Sequence, residues 1–174
     1  MRLSGSSKSL WILTAAALVL AAAVFYTKDS ALRKTGARMD LETGPAFELP
    51  SVSNPGKTVR LESWTKKGPV LLVFWAEWCP PCLQEIPTLR QWQQKHHQEF
   101  SILAVHVGES RQPMEAVIAE NGINYEVVLD QTSAAASAYG VSGLPAAVML
   151  DKDRKILYYG FTLPSLEDAL KYAH

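Results

Sequence analysis

Cysteine is nearly missing from this chain: Cys79 and Cys82 are the only two among 174 residues. Two thiols are too few for a disulfide-stapled mini-domain or for a zinc ribbon built on two cysteine pairs. Net charge is missing too, with 17 basic against 17 acidic side chains. Without a basic block there is no electrostatic footprint for nucleic acid, and none is expected as a partner. Phosphate-cradling glycine loops, internal repeats and low-complexity runs do not occur either. What remains is a chain of 48% hydrophobic content, enough for one globular domain with an extension.

The charge that is present is unevenly placed. Residues 1–36 hold Arg2, Lys8, Lys28, Arg33 and Lys34 against Asp29 alone, so the rest of the chain is acidic on balance. Leu10 to Tyr26 is apolar or small throughout except for Thr14. As a helix rising 1.5 Å per residue it spans roughly 26 Å, at the short end of a bilayer core. Trp11 at one end and Phe25-Tyr26 at the other suit the membrane interfaces. The competing reading is a cleaved signal peptide, with Arg2 and Lys8 as its charged region and Ala21-x-Ala23 as the cleavage site. The expected organisation is a flank over 1–9, a transmembrane signal anchor over 10–26, a charged tether over 27–44 and a folded domain over 45–174. A reactive cysteine pair on an exported domain fits a compartment where disulfides form, the periplasmic or extracytoplasmic side of the inner membrane.

Val70 to Ala76 is an unbroken apolar run, the pattern of a strand buried on both faces. Cys79 follows at once, and Pro80 stands where a helix begins, a position that tolerates proline because its N–H would be unpaired anyway. Cys79 and Cys82 are three apart, which on a helix puts their β-carbons on one face about 5–6 Å apart. Closing them needs a modest adjustment, and the loop closed is so short that the bridge is a poor staple. A metal site needs more ligands, and His96, His97, His106 and His174 lie far off in the sequence. Reversible dithiol exchange is the chemistry this spacing suits. At a helix mouth, unpaired N–H groups and the dipole favour a thiolate, so Cys79 is expected to be the exposed nucleophile and Cys82 the resolving thiol. Pro80 and Pro81 each withdraw an amide, leaving the N–H of Cys82 as the nearest donor to the Cys79 sulfur. A moderate depression of the thiol pKa, and hence a reducing centre, is expected. A non-catalytic module holding copper(I) or a client through the same dithiol is the alternative.

Phe74-Trp75-Ala76-Glu77-Trp78-Cys79-Pro80-Pro81-Cys82, followed by Glu85-Ile86-Pro87, resembles the active-site segment of thioredoxin-like proteins. More narrowly it resembles the membrane-anchored bacterial TlpA/ResA type of thiol–disulfide oxidoreductase. Gly140-Val141-Ser142-Gly143-Leu144-Pro145, followed by the apolar Ala146 to Leu150, is similar to the family's cis-proline loop. A peroxidatic cysteine is not supported, because Ala76 and Cys79 stand three before the two cysteines, where peroxiredoxins carry threonine. The resemblance implies an α/β thioredoxin-like fold: a central mixed sheet with helices on both faces, an N-terminal hairpin and an inserted helix–strand unit over 111–129. It implies no cofactor. It implies disulfide-containing exported client proteins and a membrane electron donor as partners. Substrate contacts would fall on Trp78, Leu144 and Pro145, with Leu144–Pro145 cis. Glu85, three after Cys82, would accept or relay the resolving thiol's proton. Val73 stands where plain thioredoxin has a buried aspartate. Ala146 stands where many relatives serving cytochrome c maturation have a glutamate.

The remaining elements follow from pattern. Ala46–Pro50 and Thr58–Leu61 around Asn54-Pro55-Gly56 suggest the hairpin. Leu83, Ile86, Leu89 and Trp92 mark a helix over 82–98, with Pro87 inside it. Strands are expected over 101–107 and 125–129, and helices over 113–121 and 133–139, stopped by Gly122 and Gly140. Residues 146–150 and 156–159 should form a second hairpin, and 166–173 a helix capped by Ser165. Glu77 is expected as a solvated charge, His106 as a rim residue, and Trp75 in the core.

Overall fold

The computed structural model describes residues 41–110 and 112–174. The expected span over 10–26 and most of the tether lie outside these residues. Among those described, no helix is long and apolar enough to cross a membrane.

Strand β3, Val70–Trp75, is buried at every position, as its unbroken apolar run requires. Each such fully buried Val, Leu or Phe contributes about 1.5–3 kcal/mol relative to exposure. Around it, the described residues form a five-stranded sheet in the order β5-β4-β3-β6-β7. The strands are β4, Ser101–Val107; β5, Glu126–Asp130; β6, Ala146–Leu150; and β7, Ile156–Gly160. β4 lies parallel to β3 and to β5, whereas β6 runs antiparallel to both β3 and β7, so the sheet is mixed as expected. The N-terminal hairpin is present as β1, Glu48–Pro50, and β2, Thr58–Arg60, with Leu49 opposite Val59. Leu61 does not continue it. Leu61–Thr65 is a short helix, α1, that buries Leu61 and Thr65; five residues are too few for a helical period to show in sequence.

The strand period of two divides the core. Leu71, Val73, Trp75, Ile102, Ala104, Ala147 and Met149 point to one face. This face is covered by α2, Pro80–His96; α3, Met114–Asn121; and α5, Leu166–Tyr172. Val70, Leu72, Phe74, Leu103, Val105, Val148 and Leu150 point to the other, beneath α1, α4 (Ala134–Ala138) and the β1–β2 hairpin. Helix α2 buries Cys82, Ile86, Leu89 and Trp92 and carries Pro87 in its interior; Leu83, one of the expected core positions, is only partly buried. Gly122 ends α3 in the left-handed conformation, φ 60°, which glycine adopts without strain. Ser165 caps α5 by accepting the Asp168 N–H at 3.1 Å. The α3–β5 unit occupies the place of the expected insertion, between β4 and α4.

Candidate active site

The site is a consequence of how β3 ends. After Trp75 the chain makes a turn, closed by the Cys79 N–H donating to the Ala76 carbonyl at 3.1 Å. Glu77 and Trp78 are the central residues of that turn, and Cys79 is the N-cap of α2 in extended conformation. Pro80 and Pro81 fill the first helical positions. The Cys82 N–H, the first amide after the two prolines, donates to the Cys79 Sγ at 3.3 Å. This is the donor that the spacing leaves once both prolines are discounted. Cys79 and Cys82 are joined by a disulfide with their α-carbons 5.3 Å apart. Cys79 is only 5% exposed and Cys82 3%. The expected exposure of Cys79 is therefore not found in this oxidised state, because both half-cystines belong to the core beneath α2.

Three further elements close around the disulfide. Leu144–Pro145 is a cis peptide, and Pro145 is buried. Ala146, the next residue, pairs with Phe74 near the end of β3, which brings the loop to the edge of the sheet from which Cys79 emerges. Leu144 is partly buried against the cluster containing both cysteines. Trp78 stands half exposed, at 50%. Trp78, Gly143 and Leu144 border an open groove of about 490 Å³ that continues past Ser142 and Ser137. Among the described residues, no three His, Cys, Asp or Glu side chains gather to hold a metal ion.

Glu85 sits on α2 one turn beyond Cys82 and is half buried. The Leu163 N–H, from the segment after β7, donates to its Oε1 at 3.3 Å. Its Oε2 is buried and meets no hydrogen-bond partner among the described residues. Burial pushes the carboxyl above its ordinary value of 4.5, and the Leu163 amide pulls only partly the other way. Tyr125 lies near enough to sense the charges of both Arg90 and Glu85, but burial is the main cause that raises its phenol.

Two expectations are overturned. His106 is not at a rim: it is fully buried, and its Nε2 shares a hydrogen bond of 2.6 Å with Glu77 Oε2. Glu77 is not a solvated charge, since its side chain is only 4% exposed. The alternation of β4 held the missed signal. Ile102 and Ala104 face the α2 side, so a histidine two further on faces inward as well and needs a polar partner.

A helix-mouth disulfide beside a cis-proline loop, on a mixed five-stranded sheet with helices on both faces, defines a thioredoxin-like thiol–disulfide exchange protein. Comparison with known proteins agrees. The redoxin family model matches residues 41–168. The thiol-disulfide oxidoreductase ResA of Geobacillus thermodenitrificans is 33% identical over 142 residues, covering 80% of this chain and 79% of that protein. ResA of Bacillus subtilis is 33% identical over 154 residues, covering 86% and 83%. A solved thiol-disulfide oxidoreductase from Bacteroides fragilis superposes with a TM-score of 0.62 at 26% identity, covering 74% of this chain and 97% of its own. The chain belongs to the redoxin family and is a thiol–disulfide oxidoreductase of the ResA type.

Proposed function

We propose that this enzyme is a membrane-tethered reductase of disulfides in exported proteins. In the reduced enzyme the Cys79 thiolate attacks one sulfur of a substrate disulfide, breaking that bond and releasing one substrate thiolate. Cys82, deprotonated in turn, attacks the Cys79 sulfur of the mixed disulfide, forms the Cys79–Cys82 bond and releases the second substrate thiolate. Two electrons have then passed from the enzyme to its client. A membrane protein with a reduced thiol pair restores the dithiol. Glu85 takes the proton of Cys82, a role supported by its place one turn along α2 and by a buried Oε2 without a partner. Trp78, Leu144 and Pro145 hold the client's chain against Cys79, a reading supported for Trp78 and Leu144 by the groove they border and for Pro145 by its place next to Leu144. Leu10 to Tyr26 anchors the domain on the extracytoplasmic side of the membrane, a reading that rests on its apolar length and aromatic ends.

The observation that carries the assignment of roles is the Cys79 sulfur at the mouth of α2, accepting the Cys82 amide. An amide and a helix N-terminus both favour negative charge on that sulfur, and Cys82 within the first turn has no such placement. Trapping with client thiols tests it. Cys82→Ser should accumulate a mixed disulfide through Cys79, and Cys79→Ser should accumulate none. Equal trapping by the two variants, or alkylation of Cys82 before Cys79 in the reduced protein, would show the roles to be wrong.

A further inference from the structure

Among the described residues, the exposed large apolar side chains are Trp78, at 50%, and Phe161, at 38%. Scattered singly such side chains mean little; converging on one place they mark a contact surface. These two converge on the cis-proline loop. Trp78 borders the groove together with Gly143 and Leu144. Phe161 adjoins Gly143: a β-carbon placed on that glycine would meet Phe161 Cε1 at 3.9 Å and, beyond its chain neighbours, nothing else within 4 Å. The backbone at Gly143 does not call for glycine, since its φ lies outside the left-handed region and a side chain there meets no collision. What the glycine supplies is an open floor where the groove reaches the Phe161 ring.

The ring is held in place by its surroundings. β7 ends at Gly160, which pairs with Ala147, two residues past Pro145, and so delivers Phe161 to the cis-proline loop. The buried Tyr159 ring meets it edge to face, with centroids 6.4 Å apart at 82°. The Tyr158 hydroxyl donates to the Thr162 carbonyl at 2.7 Å and the Leu163 N–H donates to Glu85, so the residues that follow are pinned as well. A ring fixed before contact loses little freedom on contact. Glu109 is the one charged side chain bordering the groove, and the rest of that border is apolar, hydroxyl or glycine. Such a surface selects by apolar fit more than by ion pairing.

We propose that Phe161, with the open floor at Gly143, is a specificity-determining contact that takes a large apolar side chain flanking the client's reactive cysteine. With that cysteine at Cys79, an adjacent leucine or aromatic side chain covers Gly143 and packs on the Phe161 ring. The apolar area removed from water on both partners drives the contact, and a serine in the same place gains almost none of it. The occupant is a client chain because the surface continues the groove bordered by Trp78, the residue before Cys79. The proposal rests on the reading that client disulfides are reduced at Cys79.

The test is the rate at which the reduced full chain reduces two disulfide-linked peptide dimers, alike except for leucine or serine beside the cysteine. The parent should reduce the leucine peptide about tenfold faster, a difference that partial burial of one leucine supplies. Phe161→Ser removes the ring and Gly143→Glu puts a charge on the floor, and each should bring the ratio of the two rates near one. Equal rates in the parent would overturn the proposal, and so would a preference kept by Phe161→Ser. Should that variant not fold, a preference kept by Gly143→Glu decides against the proposal in the same way. Self-association of the parent that Phe161→Ser abolishes would assign the surface to a second copy and overturn the proposal as well. Hydroxyethyl disulfide, which has no flanking side chain, separates this proposal from the reading beneath it. A parent that reduces it and both peptides alike refutes the specificity alone, whereas a parent that reduces none of the three refutes the reductase reading.

Discussion

Glu85→Gln separates a carboxylate that works from one that is merely tolerated. The substitution keeps an oxygen for the Leu163 amide, 3.3 Å away, and removes only the charge. Burial raises the folded carboxyl above its ordinary value of 4.5, so the unfolded chain ionises more readily than the folded one. The stability that glutamate contributes relative to glutamine is therefore fully present below about 4.5 and is lost as pH rises through the higher folded midpoint. One proton is exchanged, so the loss is no steeper than about 1.4 kcal/mol per pH unit within that window, and flat above it. Urea unfolding of oxidised parent and variant at a series of pH values reads this directly. The parent should lose ground to Glu85→Gln as pH rises, and a parent that gains ground would refute the burial argument. The catalytic arm is separate. If Glu85 takes the Cys82 proton, resolution of a preformed mixed disulfide should slow by about 10²–10⁴-fold in the variant, the usual worth of a positioned base. Unchanged resolution would remove Glu85 from the mechanism and leave the stability result standing.

Two further outcomes follow from the site and from the N-terminal segment. With Pro80 and Pro81 withholding two amides and the Cys82 N–H the donor at the sulfur, the thiolate gains less stabilisation than in a strong oxidant. The potential should therefore lie nearer thioredoxin's, about −270 mV, than the oxidants' −120 mV or so. Equilibration against glutathione checks this, and a potential above about −180 mV would refute the argument from missing amides. Full-length protein made in a Gram-negative host should remain with membranes through a carbonate wash and retain Met1 or Arg2 in its N-terminal peptide. A soluble product beginning at Val24 would identify a cleaved signal peptide instead.

The sequence by itself determined what local pattern and covalent spacing can carry. Two buried faces for β3 follow from an apolar run without a polar interruption, and every residue of Val70–Trp75 is buried. The start of α2 is written in Cys79-Pro80-Pro81, because proline at the first helical positions and a polar atom at the cap are local requirements. The ends of α3 and α4 are likewise marked by Gly122 and Gly140, both left-handed. Helix α1 escaped because five residues hold too little periodicity, and its shape comes from Leu61 packing beneath the sheet. Only the tertiary structure decided what lies beside the disulfide. Glu77 and His106 are 29 residues apart, and nothing local tells a glutamate in a turn that it will be buried against a histidine on the next strand. Glu85 finds its amide donor 78 residues away, on a segment that arrives only after β6 and β7 have been laid down. The strand order brings these partners together, and burial then makes pairing obligatory, because a polar group withdrawn from water must find its hydrogen bond within the fold.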